Sequence, residues 1–449
     1  MSNAFFSDLL ASVTERGRTL LRRAGSPGSR PDANEILELC ETLLSNRGEA
    51  SGSAIGRELL DHYRDLDLEG RIAFFQTLSR DYGPDREKLA RAIEIWRAQP
   101  SDRDGSDLHF ASEPRRQELF RRLNRTPGAT GELVAMRADL LDTMSDQRGL
   151  AALDRDLVHL LASWFNRGFL VLRRIDWSTP ANILEKVIRY EAVHEIHDWE
   201  DLRRRIDPVD RRCYAFFHPA LIDEPLIFVE VALTESIPEA IAPLLAEERE
   251  PVASSRARTA VFYSISNCQR GLAGISFGNF LIKQVVEELR RELPKLENFV
   301  TLSPVPGFMR WLAGDDAPLS ESQRQLIEHL DDPDWITNPE LVAPLRELLE
   351  PLAAYYFLKA RNSRGRPVDS VARFHLGNGA RLERIDWLGD TSPKALRESA
   401  GMMVNYLYRL DDIEKNHEAY ANEGQIAASG AVKKLLKNER RRLLEVRLP

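Results

Sequence analysis

"GLAGISFGNFLIKQVVEELRREL" (residues 271–293), followed closely by "ENFVTLSPVPGFMRWL" (297–312), decides how this chain is read. A glycine-rich turn runs into a strongly amphipathic helix, and an apolar run after it reads as a strand ending at Ser303. Pro304, Pro306 and Gly307 then stiffen a loop with that hydroxyl at its mouth. "RTAVFYSIS" (258–266), just upstream, reads as another strand. Strand, glycine turn, helix and strand together predict an α+β domain.

The same character extends outward from this centre. "RRCYAFFHP" (211–219) and "EPLIFVEVALT" (224–234) read as a hairpin, and "RGFLVLRRIDW" (167–177) as an edge strand. Downstream, helices are expected across 319–360, at 392–410 and at 424–445. "VARFHLGNGARLERIDWL" (371–388) reads as a hairpin with Asn378-Gly379 at its tip. Residues 1–155 differ: they read as helix after helix. "GELVAMRADLLDTM" places Leu133, Met136, Leu140 and Leu141 on one stripe, and "YGPD" breaks a helix pair near residue 83. "QPSDRDGSDLHF" (99–110) and "NRTPGATG" (124–131) read as loops. The expected division is a helical domain over 1–158 and an α+β domain over 159–449.

Composition narrows the function. A chain of 449 residues exceeds one ordinary core. A net charge of −8 argues against nucleic acid or an anionic membrane as partner, while local groups remain able to bind a phosphate-bearing small ligand. Cys40, Cys213 and Cys268 are far apart and suggest neither a zinc site nor disulfides, which fits a reducing compartment. The N-terminal stretch carries Arg16, Arg18, Arg22 and Arg23, somewhat like an organelle transit peptide, yet also Asp8 and Glu15, which such peptides avoid.

Glycines 271, 274 and 278 lie where a strand gives way to a helix. Free N–H groups at a helix start attract phosphate, and glycine lets it approach; tight strand–helix packing explains the same glycines. For Ser303 the bland alternative is a helix N-cap. His375 is expected on a strand, with Phe374 and Leu376 on the opposite face; such histidines are mostly structural, but an imidazole is also the natural proton donor near neutrality. Tyr406 and Tyr408 are expected two apart on a helix, pointing to different faces. His194 and His197, with Asp198, are expected on a helix as surface or packing residues, since no third metal ligand follows at suitable spacing.

"AVFYSIS", "GLAGISFGNFLIKQVVEELRRELP", "LSPVPGFMRWL", "FHLGNGA" with "RIDW", and "NYLY", in this order, resemble the malonyl-CoA decarboxylase family. "ELVAMRADLL" and "WFNRGFLVLRRIDW" extend the resemblance over nearly the whole chain. It implies a helical N-terminal domain, through which copies assemble as dimers or tetramers, and a GCN5-related acetyltransferase-like (GNAT) α+β domain. It implies conversion of malonyl-CoA to acetyl-CoA and CO2 without metal or organic cofactor, CoA being part of the substrate. The family's catalytic serine and histidine fall on Ser303 and His375, with Ser264 and Tyr408 also lining the site. Its acyl-CoA-binding segment falls on Ala273, Gly274, Ile275, Ser276, Phe277, Gly278 and Asn279. Ser276 departs from animal relatives, which have glutamate there, and the peroxisomal tail of some relatives is missing; a cytoplasmic, bacterial-type enzyme is the simpler picture. The rival functions are an acyltransferase on the same fold and a non-catalytic acyl-CoA-binding scaffold.

Overall fold

The computed structural model describes residues 33–45, 49–98, 100–144, 148–275 and 281–445. They form two compact units. One holds the described residues up to Gly168 together with Pro219–Ile222 and 269–275; the other holds the rest.

Among the described residues the first unit has eight α-helices: α1 (Ala33–Leu44), α2 (Glu49–Asp65), α3 (Leu68–Asp81), α4 (Arg86–Ala98), α5 (Asp102–Ser112), α6 (Arg115–Asn124), α7 (Ala129–Thr143) and α8 (Ala151–Trp164). Asp67 caps α3 by accepting the Gly70 N–H, and Phe74, Phe75 and Leu78 form its buried face. Of the stripe expected on α7, Leu133, Met136 and Leu140 are fully buried and Leu141 is half-buried. The stretch expected as a loop at 99–110 instead forms most of α5. Ser101 accepts the Asp104 N–H there, so its polar residues serve as a helix start. Neither α4 nor α5 buries a side chain.

The second unit is a mixed eight-stranded sheet with helices: β1 (Val171–Ile175), α9 (Ala181–Tyr190), α10 (Trp199–Ile206), β2 (Arg211–Phe217), β3 (Pro225–Thr234), β4 (Thr259–Asn267), α11 (Leu281–Glu292), β5 (Asn298–Thr301), β6 (Ser303–Pro304), α12 (Pro339–Leu358), α13 (Ser370–Gly377), β7 (Arg381–Asp386), α14 (Pro393–Ser399), β8 (Met403–Leu407), α15 (Ile413–Glu423) and α16 (Gly430–Glu445). The strand order is β1-β2-β3-β4-β5-β8-β6, with β7 also on β8. The β2–β3 hairpin, the β1 edge strand and β4 lie where the sequence places them. In outline this is the architecture the resemblance implies, an all-helical part followed by an α+β part.

β4 and β5 run parallel, from Thr259 beside Asn298 to Phe262 beside Thr301. One more bond, Leu302 N–H to Phe262 O at 3.1 Å, closes the ladder. β4 then continues to Asn267, while Ser303 turns away to lie opposite Val404 of β8. The two strands therefore part at Phe262 and Leu302. A bulge at Tyr263, between the Phe262–Val231 and Ser264–Glu230 pairs, adds a bend at the same point.

Three expectations fail in the C-terminal third. His375 is on a helix, not in a hairpin. Asp369 caps α13 by accepting the Ala372 N–H, and Asn378-Gly379 ends that helix instead of joining two strands. Gly379 has φ +79°, and a Cβ there would lie 2.1 Å from the Ile413 carbonyl, so only glycine fits. Tyr406 is on strand β8 and Tyr408 directly follows it. The helix expected at 392–410 stops at Ser399 because Ala400 and Gly401 are both left-handed, with φ +51° and +75°. The helix expected at 424–445 starts at Gly430; Gly424, at φ +65°, instead ends α15. His194 and His197 lie in an irregular segment, not a helix.

Candidate active site

The opening between β4 and the chain after β5 is a cleft of about 280 Å³, lined among others by Tyr263, Ile265, Leu302, Ser303, Phe374 and His375. Pairing with β8 fixes Ser303, so it is not a helix cap. Helix α13 delivers His375 to the same cleft, 72 positions along the chain. Ser303 Oγ lies 3.2 Å from His375 Nε2, and on its other side donates to Thr301 Oγ1 at 2.9 Å. His375 Nδ1 meets the Tyr408 hydroxyl at 2.8 Å. Because Tyr406 and Tyr408 are two apart on extended chain, they share a face. Tyr406 stacks on the imidazole, ring centroids 4.5 Å apart, and Tyr408 holds its edge.

Both imidazole nitrogens are thus occupied and the ring is clamped. With the Ser303 hydroxyl donating to Thr301, the Nε2–H tautomer satisfies the row: Nε2–H donates to Ser303 Oγ and the Tyr408 hydroxyl donates to Nδ1. Burial alone pushes His375 down to about 3, so the ring is neutral at physiological pH. Burial also raises the Tyr408 hydroxyl well above its usual value, keeping it a hydroxyl. The row is a chain of neutral, exchangeable protons in a dry place.

Ser264 is fully buried on β4, but its hydroxyl is not bonded to Ser303 or His375. It donates to the Glu191 carboxylate at 2.7–2.8 Å. Glu191, at the end of α9, also accepts the N–H groups of Val193 and His194 at 2.8 Å and the Ser266 hydroxyl at 3.2 Å. It thereby pins the segment whose Val193 forms part of the cleft wall. Sequence reading missed Glu191. Its one signal is position: an acidic side chain just past a helix, free to cap the next turn.

Of the acyl-CoA segment, Ala273, Gly274 and Ile275 are described, and Ser276, Phe277, Gly278 and Asn279 lie outside the described residues. The described part belongs to the helical unit. Arg137 of α7, buried and paired with Asp154 at 2.8 Å, donates to the carbonyls of Gly271 at 2.7 Å and Ala273 at 2.9 Å. A Cβ at Gly271 would fall 1.8 Å from the Val134 carbonyl, so this glycine is there for close packing. Gly274 has φ +78° with open space around its Cβ position, so its role is the turn itself.

An ionic cluster borders the cleft at Tyr263. Glu230 of β3 is fully buried, 3.4 Å from Arg205 of α10. Burial, reinforced by the Glu191 charge, pushes Glu230 up to about 8. Arg205 also grips the carbonyls of His194 and Glu195 at 2.7 and 2.8 Å. His194, pushed down to about 4 chiefly by burial, sits beside the Tyr263 ring. No group of three metal-binding side chains occurs among the described residues.

The model of the malonyl-CoA decarboxylase C-terminal domain matches residues 168–446, and that of the malonyl-CoA decarboxylase N-terminal domain matches residues 82–165. The chain is 38% identical over 454 residues to a mitochondrial malonyl-CoA decarboxylase of Anser anser anser, covering 91% of this chain and 90% of that protein. It is 33% identical over 472 residues to the Rattus norvegicus protein of the same name, covering 96% and 92%. Among solved structures, a malonyl-CoA decarboxylase from Rhodopseudomonas palustris superimposes with a TM-score of 0.87 at 58% identity, over 90% of this chain and 100% of that one. One from Agrobacterium vitis gives 0.85 at 57%, over 90% and 99%.

Proposed function

The chain belongs to the malonyl-CoA decarboxylase family, and on that premise we propose that Ser303, His375 and Tyr408 carry the proton transfer to carbon that completes malonyl-CoA decarboxylation. The enzyme is a carboxy-lyase that converts malonyl-CoA to acetyl-CoA and CO2. The observation that carries the residue assignment is the unbroken row Tyr408–His375–Ser303 at the cleft.

A malonyl thioester contains its own electron sink. When the C–C bond breaks, CO2 leaves neutral and the electron pair passes into the thioester as an enolate. One proton must then reach carbon, so the reaction consumes one proton overall. In the free enzyme His375 is neutral because it is desolvated. A malonyl carboxylate set against Ser303 and His375 brings a negative charge into that dry space and raises the imidazole's affinity for a proton. The imidazolium so formed pairs with the carboxylate, and delivers the proton to the enolate carbon as CO2 departs. Tyr408, accepting from Nδ1–H in that state, keeps the ring aimed. Ser264, through Glu191, holds the cleft wall. Ala273 to Asn279 take the CoA end, with Arg137 fixing the first part of that turn.

No metal or organic cofactor enters this scheme, because the thioester is the sink. The test is acetyl-CoA formed from malonyl-CoA alone, read by mass, with chelator and without any acyl acceptor. Absence of acetyl-CoA under those conditions overturns the scheme. Assembly of the helical unit into dimers or tetramers is supported by α4 and α5, which bury nothing of their own and expose Ile95 (55%), Trp96 (42%) and Phe110 (69%). Light scattering of Trp96→Glu beside the parent chain checks it. A cytoplasmic location is supported by Asp8 and Glu15 within the arginine-bearing N-terminal stretch and by three free, buried cysteines; cell fractionation checks it. Among the described residues no helix is long and apolar enough to cross a membrane.

A further inference from the structure

The face of β8 opposite Tyr406 carries Asn405, which is fully buried and lines a second cavity of about 400 Å³. Its Nδ2 donates to the Thr301 carbonyl at 2.9 Å and approaches the Pro238 carbonyl at 3.5 Å. Two carbonyls on that side fix the amide's orientation. Its Oδ1 is buried without a partner among the described residues, in a side chain that lines this cavity. A buried acceptor left so is costly, so a hydrogen-bond donor is called for at this point.

The opposite wall supplies donors. Helix α16, sixteen residues long, begins there with Gly430 and Ala431, whose N–H groups have no acceptor within the helix and carry its positive end. Arg381 spends Nε and Nη2 on Glu383, which leaves Nη1 for a ligand. Arg384, opposite Asn405 in the β7–β8 ladder, is tied to Asp386, to Glu239 and to the carbonyls of Ile237 and Pro238, so it serves as a fixed positive wall. A bulge at Glu383 brings that carboxylate to the cavity too. Two guanidinium groups thus face about as many carboxylates. A fully ionised polyanion gains little here, and any anion that enters must turn a hydrogen toward Glu383 and Asn405.

We infer that this cavity is a binding site for a small oxyanion that keeps one hydroxyl, of the hydrogen-phosphate kind. Its bare oxygens take the Gly430 and Ala431 N–H groups and Arg381 Nη1, and its O–H donates to Asn405 Oδ1. None of the residues lining it belongs to the acyl-CoA segment, and the proposal does not depend on the decarboxylase assignment.

The test is calorimetric titration of the full chain, saturated with acetyl-CoA, with inorganic phosphate and separately with sulfate. Sulfate has the same shape but no hydrogen near neutral pH. Phosphate is expected to bind, and sulfate to bind at least about tenfold more weakly, the scale of one unmet buried acceptor. Arg381→Ala is expected to weaken phosphate about fivefold or more while acetyl-CoA binding stays as in the parent. No phosphate binding in the acetyl-CoA complex, equal binding of sulfate, or an unaffected Arg381→Ala variant would each overturn the site.

Discussion

Two buried polar groups of residues border the same cleft, and they are built on opposite rules. The row Ser303–His375–Tyr408 is neutral, and both nitrogens of its imidazole have partners. The cluster around Glu230 is built around one lasting charge: Arg205 faces a carboxyl group whose pKa burial pushes up to about 8, so that near neutrality the carboxyl keeps its proton. The guanidinium, held also by Asp201 and two carbonyls, stays charged at any ordinary pH. A neutral imidazole clamped in a dry place responds strongly to the first charge that reaches it. That contrast favours the row for the proposed chemistry and leaves the cluster to anchor the wall segment, because Arg205 holds the carbonyls of His194 and Glu195.

The contrast shows most strongly against pH. His375 is neutral in the fold, with its pKa lowered to about 3, so below about 6.5 the unfolded chain binds a proton that the folded chain does not. Its share of stability is present above about 6.5 and is lost as pH falls toward 3, at about 1.4 kcal/mol per unit, of the order of 5 kcal/mol in all. Glu230 has the opposite sign. Folded, it keeps a proton that the unfolded chain gives up above about 4.5, so its share is full below that and lost as pH rises through about 8. Denaturant unfolding across this range is expected to show a shallower acid limb in His375→Asn, with His194 retaining part of it, and a shallower limb toward pH 8 in Glu230→Gln. Limbs unchanged from the parent in both variants would break the comparison.

Turnover separates the two groups next. His375→Asn and Ser303→Ala are each expected to lower kcat by about 10²-fold or more with little change in KM, the usual scale for a positioned proton donor. Tyr408→Phe is expected to cost less, about tenfold. It leaves the ring in place under Tyr406 and strands Nδ1 without a partner. Rates of acetyl-CoA formation check all three. Normal turnover by either of the first two variants removes that residue from the mechanism.

What the sequence could reveal follows the same geography. β2, β3 and β4 were legible because their β-branched and aromatic runs are bounded by turn residues. β8 was not: Met403 to Leu407 are all buried, so no alternation distinguishes strand from helix. α13 was read as a strand because eight residues are too few to show a helical period, and Asn378-Gly379 is equally at home in a hairpin tip or at a helix end. Ser303, His375 and Tyr408 came from the order of several separated motifs, not from local pattern, which explains how the three side chains could meet at one cleft while two of their elements were read wrongly. Glu191 stayed hidden because its role depends on a contact with Ser264, 73 positions away.

Glu230→Gln gives the smallest expected change in turnover and the sharpest test of the division of labour. Glutamine keeps the shape of the side chain and its ability to accept from Arg205, while removing the proton that Glu230 gives up near pH 8. The wall segment stays anchored, since Arg205 reaches the His194 and Glu195 carbonyls and Asp201 independently of Glu230. The neutral row touches neither residue. Turnover is therefore expected to stay within about threefold of the parent, roughly 0.7 kcal/mol in the barrier. A loss of tenfold or more, with the fold intact by circular dichroism, would mean that the ionisation of Glu230 is felt across Tyr263 at the reacting atoms. The ionic cluster would then be part of the chemistry, and burial of the imidazole would no longer suffice to explain its readiness to take a proton.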